Sequence, residues 1–493
     1  MTTTALVRKW EGKNTGVGLA SLRAVCILLS TGAHPPPYPL PLYPHQEEGA
    51  RWLAERSAAL LADDPGLGKT ITALAAAASL QPAEGRARPR ILVLCPTVVL
   101  YNWQAETEKW LAAPRVQVVT HGRAQIEKDA DVVIVTHGLL LAPWISSQLL
   151  SAQWDVAIVD EAHAFKSITA KRTAALYHAQ AGIVKAAQRV WLLTGTPCPN
   201  HAGELYTHLR GLDWKRLVPE QLDEPLTYDE FVYRYCRWRE TPYGVQIVGN
   251  QRERLPELKK ALDGFVLRRR KEDVLKDLPP IRMELVHLRP LALDAALASL
   301  EAELSSLVKD RVAGRDVEDT LGFFDAVKDD VGFTRFRRLC GLAKAGSVVD
   351  LLAAELEDGA LDKVVVFAHH RDVVDQIAEG LERFGVRTIT GETPAAERTA
   401  RVKAFQESGN VRVMVSNIVA GGVGVTLTAA SEVVFAEQSW TPGENAQAAD
   451  RCHRIGQTER VRVRFVALAG TLDTFIAQAL RRKIKMIQEV IGA

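Results

Sequence analysis

Asp63-Asp64-Pro65-Gly66-Leu67-Gly68-Lys69-Thr70 stands between a short apolar run and a helix-forming one. Two glycines allow a tight turn whose backbone N–H groups can face phosphate oxygens, and a helix N-terminus behind it adds favourable partial charge. In such a turn Lys69 can reach the terminal phosphates of a nucleoside triphosphate, and the Thr70 hydroxyl can ligate Mg²⁺. The full pattern carries glycine where this chain has Asp63. A Gly-rich turn that merely caps a helix would use the same residue types. Asp160-Glu161-Ala162-His163 offers the complementary chemistry. Asp160 can hold Mg²⁺ through water, and Glu161 can orient and deprotonate an attacking water; the bland alternative is a helix N-cap. Far downstream, Arg451 and Arg454 share one face if the segment is helical. Two guanidiniums presented together suit the charge on a transferring phosphoryl group, though a solvated basic face would look alike.

These groups need a scaffold that brings strand ends together. Unbroken apolar runs predict strands at Ala59–Ala62, Ile91–Cys95, Val116–Val119, Asp131–Val135, Val156–Val159 and Val190–Leu193. A second set falls at Val364–Phe367, Arg387–Thr390, Val411–Val415, Val433–Ala436 and Val461–Val466. Runs of this kind, alternating with helical patterns, mark parallel sheets buried on both faces. Residues from about 200 to 360 read as mostly helical, with one extended stretch at Arg282–Leu288 and amphipathic patterns over Leu291–Val312 and Phe336–Leu356. A helix is expected over Gly18–Ser30, then a linker rich in proline (Pro35, Pro36, Pro37, Pro39, Pro41, Pro44), and a closing helix over Leu472–Ile491. The simplest architecture is α/β, two lobes with helical material between them.

The 493 residues allow two or more domains. With 47% hydrophobic and 24% charged residues the composition is that of a soluble globular protein. A formal net charge of +2 neither demands nor excludes nucleic acid, so any such contact must come from local basic surface. Six cysteines without paired spacing imply neither a zinc site nor a disulfide framework. The segment Met1–Asn14 lacks a signal-peptide core, and Ala24–Leu29 is too short to span a membrane. The expected location is the cytoplasm, or the nucleus in a eukaryote.

Two further motifs are ambiguous alone. Thr194-Gly195-Thr196-Pro197 after a strand reads as a polar turn or, given its place, a coupling loop. Gln46 could offer its amide to an adenine edge or be an ordinary helix residue. Together with PTVVLYNW at Pro96–Trp103, AGGVGVTLTAA at Ala420–Ala430 and QAADRCHRIGQ at Gln447–Gln457, they complete a resemblance. The set resembles the superfamily 2 helicase-like ATPases of the Swi/Snf type. VFAHH at Val366–His370, ELYTHL at Glu204–Leu209, VLRRRKEDVLKDLP at Val266–Pro279 and VVFAEQSWTPGENAQAADR at Val433–Arg451 are similar to the annealing-helicase branch. The likeness runs from about residue 40 to the end. Pro65 stands where methionine is usual, and Val425-Thr426 where Leu-Asn is usual.

The resemblance implies two RecA-like parallel-sheet lobes with helical insertions between them. Residues 1–40 would be a lead segment and linker, 41–281 lobe 1 with an insertion at about 200–263, 282–360 a helical inter-lobe region, and 361–493 lobe 2. ATP and Mg²⁺ would sit in the cleft. Gln46, Asp64, Gly66, Leu67, Gly68, Lys69, Thr70 and Gly424 would bind the nucleotide, and Thr70 and Asp160 the metal. Lys69, Asp160, Glu161, Arg451 and Arg454 would be catalytic, and His163, Thr194, Gly195, Thr196 and Gln447 would couple. Double-stranded or forked DNA would be gripped without sequence preference by Pro96, Thr97, Asn102, Trp103, His369, Thr390, Gly391, Ser416 and Trp440. For Trp440 a packed core role is the competing reading, and Arg268-Arg269-Arg270-Lys271 is either a solvated face or part of the cleft. A DNA-stimulated ATPase that translocates on duplex DNA, and remodels or anneals DNA structures, is the expectation. A strand-separating helicase and a non-hydrolysing, nucleotide-switched DNA scaffold are its rivals. No unwinding pin is evident in the sequence, and no protein partner is legible.

Overall fold

The computed structural model describes residues 41–198, 201–219, 222–241, 244–289, 295–312, 331–418, 425–478 and 480. The lead segment, most of the proline linker and much of the closing helix lie outside these residues, as does Gly424; residues 472–478 are helical.

Lobe 1 opens with α1 (Pro44–Ala54), whose first turn holds a proline where its missing N–H is harmless. Next come β1 (Ala58–Leu61), α2 (Lys69–Ala78), β2 (Ile91–Cys95), α3 (Leu100–Trp110), β3 (Val116–Val119), β4 (Val132–Thr136), β5 (Val156–Asp160) and β6 (Val190–Leu193). The two-stranded hairpin β7 (Cys236–Thr241) and β8 (Gly244–Asn250) is followed by β9 (Val266–Leu267). The main sheet runs β3-β4-β2-β5-β6-β1-β9, with every pairing parallel. Its strands are apolar on both sides because both sides are covered. Leu60, Leu92, Leu94, Val133, Val135 and Val159 pack into one layer, and Ala59, Leu61, Val93, Ile134, Ile158 and Trp191 into the other.

Lobe 2 repeats the logic. It comprises β10 (Ile281–Leu288), α4 (Ala295–Val312), α5 (Val331–Glu357), β11 (Val364–Ala368), α6 (Arg371–Gly380), β12 (Val386–Ile389), β13 (Val413–Asn417), β14 (Glu432–Phe435), α7 (Pro442–Ala449) and β15 (Val461–Leu468). The order is β10-β15-β14-β11-β13-β12, again all parallel. Val365, Phe367, Phe435 and Phe465 face one layer; Val364, Val366, Val434 and Val466 face the other.

Two expectations need correction. The stretch 282–360 is not a separate inter-lobe region. β10 pairs along its whole length with β15, and α5 buries Ala345, Val348, Leu352 and Leu356 against lobe 2 strands. An eight-residue strand needs a ladder for its backbone groups, and lobe 2 offers the open edge. The insertion near 200–263 is also not all helical, since β7 and β8 pair antiparallel. Among the described residues, no helix is long and apolar enough to cross a membrane.

Candidate nucleotide cleft

The Gly-rich turn connects β1 to α2, as its sequence implies. Gly66 and Gly68 adopt φ of +90° and +86°, left-handed geometry that favours glycine. A Cβ on Gly68 would lie 2.3 Å from Gln46 Nε2, and one on Gly66 would lie 2.8 Å from Arg454 Cβ. The turn is therefore pressed from behind by α1 and from the front by lobe 2. Asp63, in the glycine position, is 1% exposed and meets Arg269 through both carboxylate oxygens, at 3.1 and 2.6 Å.

A cavity of about 160 Å³ lies between the lobes. Gly66, Gly68, Lys69, Thr70, Asp160, Glu161 and Gly195 line it from lobe 1, and Gln447, Arg451 and Arg454 from lobe 2. Lys69 Nζ donates to the backbone carbonyls of Asp63 at 2.7 Å and Asp64 at 3.4 Å. Burial lowers its pKa, opposed by the carboxylates of Glu161, Asp63 and Asp160. Burial likewise lowers Arg451, and burial together with Arg451 brings Arg454 to about 10. Three desolvated cations converge on one small space, an arrangement that a polyphosphate complements.

Asp160 ends β5. Burial and the neighbouring Glu161 push its pKa up, while the Trp103 indole N–H, donating at 2.8 Å, opposes them. Glu161 has left-handed backbone (φ +47°), a strained geometry for a non-glycine residue and common where a site fixes a side chain. Burial favours its neutral form, but His163, Lys69 and Arg451 outweigh that and hold its pKa down. Gln447 of lobe 2 donates Nε2–H to Glu161 Oε1 at 2.6 Å. His163 Nδ1 stands 3.3 Å from Glu161 Oε2 and 3.1 Å from Thr194 Oγ1, which accepts the Thr196 N–H at 3.1 Å. Gly195 fits under Pro65, where a Cβ would come 2.7 Å from Pro65 Cγ. The expected coupling residues thus form one contiguous line from the acidic pair to the loop after β6.

Some expected nucleotide contacts face elsewhere. Gln46 accepts the Tyr43 N–H at 3.0 Å and donates to Leu67 O at 3.1 Å, bracing the turn from behind. The Leu67 side chain is fully buried. Asp64 takes Arg268 Nη2 at 3.1 Å and the Lys271 N–H at 3.0 Å. Thr426, one of the departures from the usual pattern, accepts Arg454 Nη1 at 3.0 Å.

The DNA expectations divide. Thr97 and Gly391 are exposed beyond strand ends, with Pro96 and Thr390 half-buried beside them. His369 is half-buried after β11, and burial, Arg337 and His370 lower its pKa to about 4. Asn102 is exposed but lines the cavity. Trp103 and Ser416 depart from the expected surface placement: both are 0% exposed, with their side chains turned into the protein. The Ser416 hydroxyl is held by Ile389 O at 3.0 Å. Trp440 packs beside the Leu468–Leu472 cluster with Arg337 4.7 Å above its ring, which favours its core reading.

Sequence reasoning missed three groups. Trp103 carried no signal as a partner of Asp160. Glu437 accepts the N–H groups of His369 and His370, both at 2.8 Å, and the His370 ring at 2.6 Å. Lys271 spans the lobes; its only sequence signal was the basic run it closes.

Comparison with known proteins supplies the family. Residues 45–297 match the SNF2-related domain, and residues 344–456 match the helicase conserved C-terminal domain. The chain is 33% identical over 454 residues to the SWI/SNF-related matrix-associated actin-dependent regulator of chromatin subfamily A-like protein 1 of Xenopus tropicalis, covering 90% of this chain and 44% of that protein. It is 33% identical over 460 residues to the DNA annealing helicase and endonuclease ZRANB3 of Bos taurus, covering 90% and 40%. The chain thus spans less than half the length of these two relatives. A solved Sulfolobus solfataricus SWI2/SNF2 ATPase core in complex with dsDNA is 25% identical, with 93% of this chain and 94% of that one covered and a TM-score of 0.44.

Proposed function

Because the chain belongs to the SNF2-related family of helicase-like ATPases, we propose that it hydrolyses ATP in the inter-lobe cavity and uses the cycle to move along double-stranded DNA. One observation carries this reading: the Gly-rich turn of lobe 1 and the arginine pair of lobe 2 line the same cavity. Lys69 binds the terminal phosphates. Thr70 and Asp160 are the groups for Mg²⁺, whose charge, when bound, neutralises the phosphate oxygens. Glu161, steadied by Gln447 and His163, takes the proton of the attacking water at its carboxylate. Arg451 and Arg454 meet the charge of the transferred phosphoryl group. Since they arrive from the other lobe, turnover is tied to closure of the cleft.

DNA lies across the strand ends at Thr97, Thr390 and Gly391, where hydroxyl and backbone N–H groups position phosphates without reading bases. Binding is therefore insensitive to sequence and weakens steeply with salt. Forked structures are included among its substrates. Strand separation is the second reading. It is favoured by the β7–β8 hairpin, whose Trp238 is 40% exposed and packs edge-to-face with Tyr233 at 4.8 Å.

The test is ATP turnover with and without duplex DNA, followed by triplex displacement beside forked-duplex unwinding. Stimulation by duplex with triplex displacement supports the first reading; unwinding lost in Trp238→Ala supports the second. Turnover indifferent to DNA refutes both.

A further inference from the structure

The segment between β9 of lobe 1 and β10 of lobe 2 is more than a tether. Arg268 and Arg269 fasten its start to the two acids of the Gly-rich turn, through Asp64 Oδ1 at 3.1 Å and Asp63 Oδ2 at 2.6 Å. The Asp64 N–H donates to Arg269 O at 3.0 Å. Lys271 then faces both ways. Its backbone N–H donates to Asp64 Oδ2 at 3.0 Å, and a Cβ on Gly66 would lie 3.4 Å from its Cε. Its ammonium pairs with the Asp450 carboxylate and donates to His453 O at 2.6 Å. Further on, Pro279 O accepts the His453 ring N–H at 2.7 Å. Lys271 is 7% exposed, so these bonds are shielded from water.

The sequence positions of the partners matter. Asp450 immediately precedes Arg451, and His453 immediately precedes Arg454. One side chain thus grips the residue before each arginine, through the Asp450 carboxylate and the His453 backbone carbonyl, while its own backbone N–H rests on the turn that would hold the phosphates. We propose that Lys271 is a positioning residue: it sets where Arg451 and Arg454 stand relative to the phosphates, so that a shift of the Gly-rich turn moves the arginines. The inference rests on the ATPase reading above. It assigns a role to a residue outside the cavity and distinguishes this strap from a passive linker.

The test uses the full chain and the variants Lys271→Met, Lys271→Arg, Asp450→Asn and the exchanged pair Lys271→Asp with Asp450→Lys. Lys271→Met and Asp450→Asn should each lower kcat about tenfold or more with KM for ATP changed less than about threefold. Combined, they should lose no more than Lys271→Met alone, the sign of one shared interaction. Lys271→Arg should recover most of kcat, and the exchanged pair, which restores the ion pair but not the donor to His453 O, should recover part of it. Unchanged kcat, losses that multiply, or a KM rise that accounts for the whole defect would overturn the proposal. Should Lys271→Met fail to fold, Asp450→Asn, whose side chain is 19% exposed, carries the same comparison. Amide exchange across residues 447–457 without nucleotide needs no turnover, and it should be faster in both single variants than in the wild type. An inactive wild type with that difference intact sinks the ATPase reading alone; equal exchange sinks the strap.

Discussion

Replacing Trp103 by Phe removes a single N–H from the cleft and leaves an aromatic ring in place. That N–H donates to Asp160 Oδ2 at 2.8 Å, and the indole is fully buried. Hydrogen bonds to charged groups are worth about 1.5–3 kcal/mol. At about 1.4 kcal/mol per decade, its loss weakens whatever depends on the ionised carboxylate by roughly 10- to 150-fold. Asp160 retains the Glu161 N–H at 3.0 Å as a donor, so the lower end is the better expectation. Its pKa, already raised by burial and Glu161, rises further, and a proton competes with Mg²⁺ more effectively. The assay is ATP turnover against Mg²⁺ concentration at saturating duplex DNA. The half-saturating Mg²⁺ should rise at least tenfold, more so at lower pH, with maximal turnover recovered at high Mg²⁺. The DNA concentration for half-stimulation should not move. An unchanged Mg²⁺ curve with weakened DNA response would refute the reasoning and return Trp103 to the DNA surface. A thermal melt run alongside measures the packing loss, expected at about 1–2 kcal/mol for a smaller ring in a closed site.

Glu161→Gln keeps the size of the side chain but cannot accept a proton. Turnover should fall about 10²- to 10⁴-fold while ATP remains bound in a filter assay; normal turnover would move the base elsewhere. Arg454→Ala should lower turnover about a thousandfold or more with ATP affinity nearly intact. A large affinity loss measured by fluorescent-nucleotide titration would instead make Arg454 a ground-state ligand. His208 is buried beneath Tyr177, whose hydroxyl lies 2.8 Å from its Nδ1, and burial lowers its pKa to about 4. The unfolded chain therefore takes up the proton first, and stability falls as pH drops below about 6.5. Between pH 6.5 and 5 the loss is about 2 kcal/mol for this one group. His208→Gln should flatten that part of the melting-temperature profile, and a slope unchanged from wild type would contradict the assignment.

The sheets were readable because both faces of each strand are covered, which forces unbroken apolar runs such as Ile91–Cys95 and Val364–Ala368. The turn at Gly66 and Gly68 was readable because only glycine takes its backbone so easily. The allegiance of β10 was not, because an edge strand with one half-exposed face carries less apolar signal than its neighbours. The hairpin was hidden because Arg237, Arg239 and Gln246 interrupt its apolar residues in a segment otherwise helical. The lining of the cavity was legible where a residue's own chemistry suggests a place in it, as for Lys69 and Glu161. The contacts behind it were illegible where they depend on a partner far along the chain: nothing near Lys271 names Asp450, and nothing near Trp103 names Asp160.

The edge position of β10 governs how the protein is made. Lobe 1 can close its sheet once Leu267 has left the ribosome, since β9 is its last strand. β10 emerges soon afterwards, but its ladder partner begins only at Val461. At synthesis rates of about 5–20 residues per second, β10 waits on the order of ten seconds or more with its hydrogen-bonding groups unclaimed. Nascent chains thus pass through a stage with one finished lobe and a bare strand trailing from it. That stage is where chaperone capture or edge-to-edge aggregation acts, and slowing translation over β11–β14 lengthens it.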